Sequence, residues 1–493
     1  MTIRFVPNDP LAVDAVPPRE QLPRPDPTDG QAAFSYPAAV PEAVHATDSA
    51  EFRFWQSREA ALATREAWAA LAPVPAVWQN GERLLPLKHE REPALGARYD
   101  RSAVACFALE TDAKKTYAAA STDAVAHEVG HALLDAVRPE LWGSPFPEIA
   151  AFHEAFGDCM ALLVGFFDAP SRQALIQNGQ LRAANFLEAV AEDVADGARL
   201  EFGANDPQSV PRHALNTLQW KLPADLPPFG LPATLTVEAH SFCRVFTGCF
   251  YDTVCNIFAA GPSQDEQGLL TAAQTAGRLL IAGARAAPEV LRFFQAVGRA
   301  MIMADEAASG GAHRMAVRDA FGAHDVAIGS TVMLAPTAAL LGAAPRVNTE
   351  AGTAALSAPA RRDLLERLGA RGGRLSVTGQ TLGGRAVAKA VHHRSIPLGK
   401  LNRRLKGAVV PAAEPVLVGA GTERAVVLGH LPDPRSTADE VHHFVTTLLK
   451  HECLGTGAPA RKGKAKARKA SLPPTHALQK RGGKTVLNRI SFA

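Results

Sequence analysis

The stretch VAHEVGHALLD, Val125 to Asp135, sets two histidines and two carboxylates within nine positions of an otherwise apolar run. Positions i and i+4 share one face of a helix, so His127 and His131 would present their imidazoles side by side, as neighbouring ligands of a tetrahedral metal require. Glu128 follows the first of them and leans to the same side, where a carboxylate can take a proton from a metal-bound water. The plain alternative is a helix whose polar residues face solvent. Against it, Ala124, Val125, Ala126, Val129, Ala132, Leu133 and Leu134 surround the polar positions. A helix apolar nearly all round is buried, and buried charged groups need a partner or a metal.

A second stretch, AAFHEAFGDCMALLVGFF, places Glu154 and Asp158 one turn apart on another apolar helix. Catalytic zinc commonly takes two nitrogens and one carboxylate and leaves a fourth position to water, so Glu154 suits the third ligand. Asp158 is placed to accept the outer N–H of a ligand histidine and fix its tautomer. A pair of helix-surface acids is the competing explanation. In a third stretch, EAHSFCRVFTGCFYD, His240 precedes Tyr251 by eleven residues. Taken alone, His240 reads as a satisfied core or surface histidine.

Together these residues resemble the thermolysin-like zinc metallopeptidases of the gluzincin group. His127 to Asp135 match H-E-x-x-H-A-x-x-D, and His153 to Asp158 match N-E-A-x-x-D except at the first position. The resemblance covers roughly residues 75–340. It implies an α+β fold of two lobes, β-rich before the HExxH helix and mostly α-helical after it. It also implies a zinc endopeptidase that hydrolyses peptide bonds by attack of a zinc-bound water. By carry-over, His127, His131 and Glu154 hold Zn2+, Glu128 is the general base, and His240 donates to the oxyanion. Asp158 and Asp135 support the ligands, and Arg212 in VPRHALN corresponds to an arginine that bonds the substrate main chain.

Some positions depart from the family pattern. Trp142 stands where the family has a second, tyrosine donor to the oxyanion, so the resemblance puts Trp142 at the substrate; an indole N–H can donate one hydrogen bond. Three extra residues separate His131 from Glu154. The carboxylate that orients the catalytic histidine is replaced by Leu235, with Glu238 as the substitute. The substrate-pairing edge strand is represented by GARYD, with Gly96 in place of an asparagine. Asp123 occupies a calcium position of the family, but the acid expected eleven residues past Glu154 is Gly165. Capping of the helix by Ser121, Thr122 or Asp123 explains that position equally. These departures keep a second function open: a catalytically impaired metallopeptidase-like fold that serves as a binding or delivery module.

The elements that must position these residues follow from the rest of the chain. Its 493 residues, 47% hydrophobic and 20% charged, make an ordinary globular mixture of two or three domains. Residues 1–45 read as a Pro-rich extended arm, and 46–340 as the metallopeptidase-like region. Within it, a helix is expected from Glu51, a hairpin around Asn80-Gly81, and a strand over ARYDRSAVACFALE. Helices follow at Thr122–Val137, Ile149–Phe167, Ser171–Asp196, Glu238–Ala259, Asp265–Ala286, Pro288–Ala308 and Gly311–Phe321.

Residues 345–455 read as a small α+β domain and 456–493 as a basic, disordered tail. That tail holds ten Lys or Arg and no acid, so the +3 of the whole chain leaves −7 on residues 1–456. Contact with nucleic acid or an anionic surface is open to it, a solvated tail being the commoner case. The six scattered cysteines fit reduced thiols in the core. The N-terminal residues show no secretory pattern and no stretch is long and apolar enough to span a bilayer, so the expected location is cytoplasmic, with non-classical export the alternative. A peptide or protein is the expected substrate.

Overall fold

The computed structural model describes residues 1–37, 39–179, 181–328, 356–369, 374–382, 385–419, 426–427, 434–455 and 475–490. It is a mixed α+β molecule. The basic cluster at 461–469 lies outside the described residues.

The N-terminal arm is ordered. Strands β1 (Ile3–Phe5) and β2 (Arg19–Gln21) pair antiparallel, and β3 (Ala33–Ser35) joins a larger sheet. Helix α1 (Ala50–Ala69) is capped by Ser49, whose hydroxyl accepts from Phe52 N at 3.0 Å. Its polar side would be solvated in a simple amphipathic helix, but the arm covers it. Glu59 takes the Arg24 guanidinium at 3.0 Å, Arg65 reaches Asp29 at 2.6 Å, and Gln56 exchanges two bonds of 2.8 Å with the Val6 backbone. Proline fixed the composition of the arm, while these buried polar anchors fix its place.

A five-stranded sheet precedes the helix that carries His127 and His131, in the order β3, β4 (Leu84–Pro93), β6 (Val104–Glu110) and β5 (Ala97–Tyr99), with β7 (Lys115–Tyr117) also on β6. Two local expectations change here. Asn80-Gly81 makes a turn, with Trp78 N bonded to Glu82 O at 2.8 Å, but β4 then pairs in parallel with β3 from the arm. The stretch ARYDRSAVACFALE is not one strand but the hairpin β5–β6. Asp100 closes its turn by accepting from Ser102 N at 2.9 Å, and Arg101 sits at φ 72°.

The helical half is built around α3 (Pro147–Phe167), packed between α2 (Thr122–Val137) and α6 (Ala239–Ala260). Among the described residues α3 is the one helix long and apolar enough to cross a membrane, and it is wholly buried in this core. Phe152 on α3 meets Phe246 at 4.9 Å and Phe293 at 5.1 Å between ring centroids. The helix expected over Ser171–Asp196 divides into α4 (Ala169–Asn178) and α5 (Glu192–Phe202). Gly179 ends α4 at φ 62°, and Asn185 then turns the chain by accepting from Leu187 N and Glu188 N. Between them lies β8 (Ala189–Val190), paired with β9 (Arg212–His213). Helices α7 (Glu266–Ala286), α8 (Phe293–Ser309) and α9 (Arg314–Ala323) complete this half. All six cysteines are free and buried.

The C-terminal region contains a helix at Ala358–Arg367, another at Pro434–Lys450, and a seven-stranded sheet. Three of its strands are β10 (Arg374–Leu382), β11 (Arg385–Pro397) and β12 (Ala408–Gly419), with the short β13 (Val426–Val427) on β12. The sheet is completed by β14 (Leu454–Gly455), β15 (His476–Arg481) and β16 (Lys484–Arg489). The last two come from the segment expected to be a disordered tail. Ala477, Val486 and Leu487 are buried there, and β16 runs parallel to β12, so two apolar faces outweigh the basic composition.

Candidate metal centre

Ser121 caps α2, its hydroxyl accepting from Ala124 N at 3.2 Å, and the helix delivers His127, Glu128 and His131 to one place. Their ligand atoms lie within 4.8 Å of one another, all buried. Helix α3 crosses close by because two glycines face each other: a Cβ on Gly130 would stand 3.0 Å from Gly157 Cα. A Cβ on Gly157 would stand 2.7 Å from His127 Nδ1. Neither glycine was singled out from sequence, yet their lack of side chains is what lets α3 bring Glu154 to the imidazoles.

Glu154 Oε2 lies 3.3 Å from His127 Nε2 and 3.6 Å from His131 Nε2. Ligands about 2.0–2.1 Å from a tetrahedral zinc are about 3.3 Å from each other, so this donor set fits that ion in both spacing and chemistry. His240, in the first turn of α6, brings its Nε2 to 3.1 Å from the same oxygen. Its side chain is 36% exposed against 6% for His127, which makes the His240 side the open face of the centre.

Each of these groups is held from behind. Asp158 accepts from His127 Nδ1 at 2.9 Å, as expected for a residue that fixes the tautomer. Glu238 caps α6 through Ser241 N and also bonds His240 Nδ1 at 3.0 Å, so it does the orienting that Leu235 cannot. The partner of His131 Nδ1 is His153 Nδ1 at 2.8 Å, the one position that departs from the N-E-A-x-x-D pattern. Asp135, expected to support a ligand histidine, instead accepts from Tyr99 OH at 3.0 Å and Arg101 at 2.6 Å. Its turn of α2 faces the β5–β6 hairpin, so it ties the hairpin to the helix. Glu128 Oε2 accepts the Tyr99 backbone N–H at 2.6 Å, which aims the carboxylate along the edge strand β5.

Two expected substrate contacts have a different immediate role. Arg212 on β9 is bonded to Asp158 through Nε at 3.0 Å and Nη2 at 2.8 Å, holding the acid that holds His127. Trp142 packs edge-on against His153 at 5.3 Å and Tyr99 at 5.4 Å, with Arg101 over its ring at 5.0 Å. Tyr251 is buried in α6, donating to Leu181 O at 2.8 Å.

The electrostatics follow from burial and close pairing. Burial pulls the His127 pKa down, but the bonds from Asp158 and Glu154 outweigh it and hold it at about 10. Burial likewise lowers His240, and Glu154 and Glu238 raise it to about 9. Burial would raise Glu154, but His240, His131 and His127 together hold its carboxyl well below the usual range. Three imidazoles converging on one carboxylate oxygen form a polar cluster in an apolar core, and such a cluster is stable only when each member is matched.

Asp9, Asp123 and Glu192 form a second cluster, with ligand atoms again within 4.8 Å of one another. Asp9 is 1% exposed, and neither its Oδ2 nor Glu192 Oε2 has a hydrogen-bond partner among the described residues. At Gly165 a side chain has no room, because Leu187 Cδ1 would stand 2.0 Å from a Cβ there.

No protein-family model and no curated protein matches this chain.

Proposed function

We propose that the chain is a zinc-dependent metallopeptidase with a thermolysin-like catalytic region. The observation that carries this is Glu154 Oε2, from α3, within 3.3 and 3.6 Å of two imidazoles from α2, with Glu128 beside them. His127, His131 and Glu154 would hold zinc, which would supply a Lewis acid to polarise a carbonyl and acidify water. Glu128, aimed by Tyr99 N–H, takes the proton of the attacking water and passes it to the leaving amine. His240 is held by Glu238 at Nδ1, and its Nε2, 3.1 Å from Glu154 Oε2 on the more exposed side of the centre, is placed to donate to a developing oxyanion. Elemental analysis of the purified chain is expected to return stoichiometric zinc. A chain that takes up no divalent ion after dialysis against zinc overturns the reading.

The second function, a binding module on an impaired metallopeptidase-like fold, is favoured by Trp142, whose ring is engaged by Tyr99, His153 and Arg101. Retained zinc with no cleavage of any peptide would decide for it.

We also infer that Asp9, Asp123 and Glu192 take one calcium-like cation, which would fasten the N-terminal arm to the start of α2. Burial, then Asp123 and Asp9, raise Glu192 to about 10. Its folded pKa thus exceeds its unfolded value, so without a cation the contribution of Glu192 to stability is full below about 4.5 and is lost as pH rises towards 10. Calcium offsets that loss by pairing the ionised cluster. Millimolar calcium is expected to raise the melting temperature more at pH 8 than at pH 5, and Asp9→Asn to remove most of the gain. An equal gain at both pH values, or one that Asp9→Asn leaves intact, contradicts the site.

A further inference from the structure

Strand β5 is the last strand of its sheet: it pairs with β6 on one side, and among the described residues no strand lies on the other. The pairing is antiparallel, so successive residues turn their backbone groups alternately towards the partner strand and away from it. Phe107 N bonds Gly96 O at 3.0 Å and Asp100 N bonds Ala103 O at 3.3 Å, which puts Gly96, Arg98 and Asp100 in the inward set. The N–H and C=O groups of Ala97 and Tyr99 therefore face the outer edge. The Tyr99 N–H does so visibly, since Glu128 Oε2 takes it at 2.6 Å.

Arg98 sits between these two outward residues, and one peptide bond joins it to the nitrogen that aims Glu128. Side chains alternate across a strand. Tyr99 stands on the face packed against α2, where its hydroxyl donates to Asp135 at 3.0 Å. Arg98 stands on the opposite face, with Ala105 and Phe107 of β6. Its guanidinium carbon lies 5.5 Å from the centre of the Phe107 ring, and its side chain is 60% exposed. A cation resting on a ring and open to water is held in place with its N–H donors still available. Among the described residues its ion pair is with Asp100 at 3.9 Å, beyond hydrogen-bonding reach. Asp100 is itself engaged, its Oδ1 accepting from Ser102 and Ala103 to close the turn.

An edge with outward N–H and C=O groups is a template for an added strand. An antiparallel peptide that exchanges bonds with Ala97 places its neighbouring residue opposite Arg98. That pair is of the non-hydrogen-bonded kind, in which the two side chains share a face and approach most closely. Beyond it the peptide backbone runs past Tyr99, on the side where Glu128 lies.

We propose that the outer edge of β5 takes an extended peptide and that Arg98 selects a Glu or Asp at the position opposite it. The guanidinium fork can meet a carboxylate there through two parallel N–H···O bonds. The inference rests on the metallopeptidase reading only in making that position a neighbour of the bond cleaved. Its charge selection can be measured without turnover.

The test is equilibrium binding to the full, zinc-loaded chain carrying Glu128→Gln, followed by fluorescence anisotropy at low salt. The probes are randomised peptide pools with one fixed central Glu, Gln or Lys. The Glu pool is expected to bind about three- to fivefold tighter than the Gln pool, the size of a well-placed exposed ion pair. Adding Arg98→Gln should bring the two pools level, and Arg98→Glu should turn the preference towards the Lys pool, which loss of a structural contact alone would not do. If neither variant folds, salt serves in their place: the Glu preference of the parent should fall to near level in 1 M NaCl, where screening acts within about 3 Å. N-methylating the residues on both sides of the fixed Glu removes the strand bonds and should weaken that pool. Equal binding of the Glu and Gln pools, a Glu preference that survives Arg98→Glu or 1 M NaCl, or no effect of N-methylation overturns the proposal. Cleavage by the wild-type chain is scored separately. A Glu preference in binding with no cleavage of any pool upholds the charge selection and removes the peptidase. Cleavage of all pools with no preference in binding does the reverse.

Discussion

Glu128→Gln is expected to keep its zinc and to lose peptide cleavage by about 10²–10⁴-fold, the usual contribution of a positioned general base. The structure makes this a clean substitution. Glu128 Oε2 accepts the Tyr99 N–H at 2.6 Å, and a glutamine carbonyl oxygen can accept the same bond. His127, His131 and Glu154, which converge without help from Glu128, are untouched by the change. The fall should appear in kcat with little change in KM, because the proton is taken only in the transition state. Metal content, melting temperature and single-turnover cleavage of wild type and variant make the comparison. A Glu128→Gln protein as active as wild type would remove Glu128 from the chemistry. Loss of zinc together with activity would instead make Glu128 a ligand, which its place within 4.8 Å of both imidazoles makes a real alternative.

The parts of the site that were legible in the sequence are those set by spacing along one helix. His127, Glu128 and His131 share a turn, as do Glu154 and Asp158, so helical periodicity alone put each group on one face. What periodicity cannot express is approach between elements. Gly130 and Gly157 matter only because α2 meets α3 at that point, and no pattern within either helix says so. Tyr99 acts through its backbone N–H, which every residue but proline has, so its type carried no signal. His153 was visible only as a mismatch, and Asp135 was assigned to a histidine when its turn of α2 faces the hairpin. In the C-terminal region the strand β11 pairs along both edges, with β10 and β12, yet mixes Lys, His and Arg into its run and so lacks a clean alternation. The hairpin at residues 476–489 was hidden by the basic composition around it, although its apolar positions are the ones that reach the core.

Asp158→Asn should damage both stability and metal binding. Asp158 is fully buried and serves four neighbours: Arg212 at 2.8 Å, His127 at 2.9 Å, Thr247 at 3.4 Å and Cys243 at 3.6 Å. Burial alone would raise its pKa, but Arg212 and His127 outweigh it and hold the carboxyl well below the usual range. The sign of the pH dependence follows. A depressed folded pKa gives stability that is full above the unfolded value of about 3.9 and lost as pH falls below it. Asparagine keeps the shape but removes the charge, leaving the Arg212 guanidinium enclosed without its counter-ion. Breaking a buried pair in this way costs about 3–5 kcal/mol. His127 also loses the carboxylate that fixes its tautomer, and losing such a support typically weakens metal binding by about 10–100-fold. Urea unfolding at pH 7 and zinc competition against a chelator should therefore both shift strongly, and the acid limb of the stability curve below pH 4 should flatten. Replacing Arg212 with Met in the same chain should recover part of the stability but none of the zinc affinity, because the stranded charge is gone while His127 still lacks its acceptor. If the double variant regains zinc affinity as well, Asp158 acts on the metal only through Arg212, and the direct bond to His127 carries no weight.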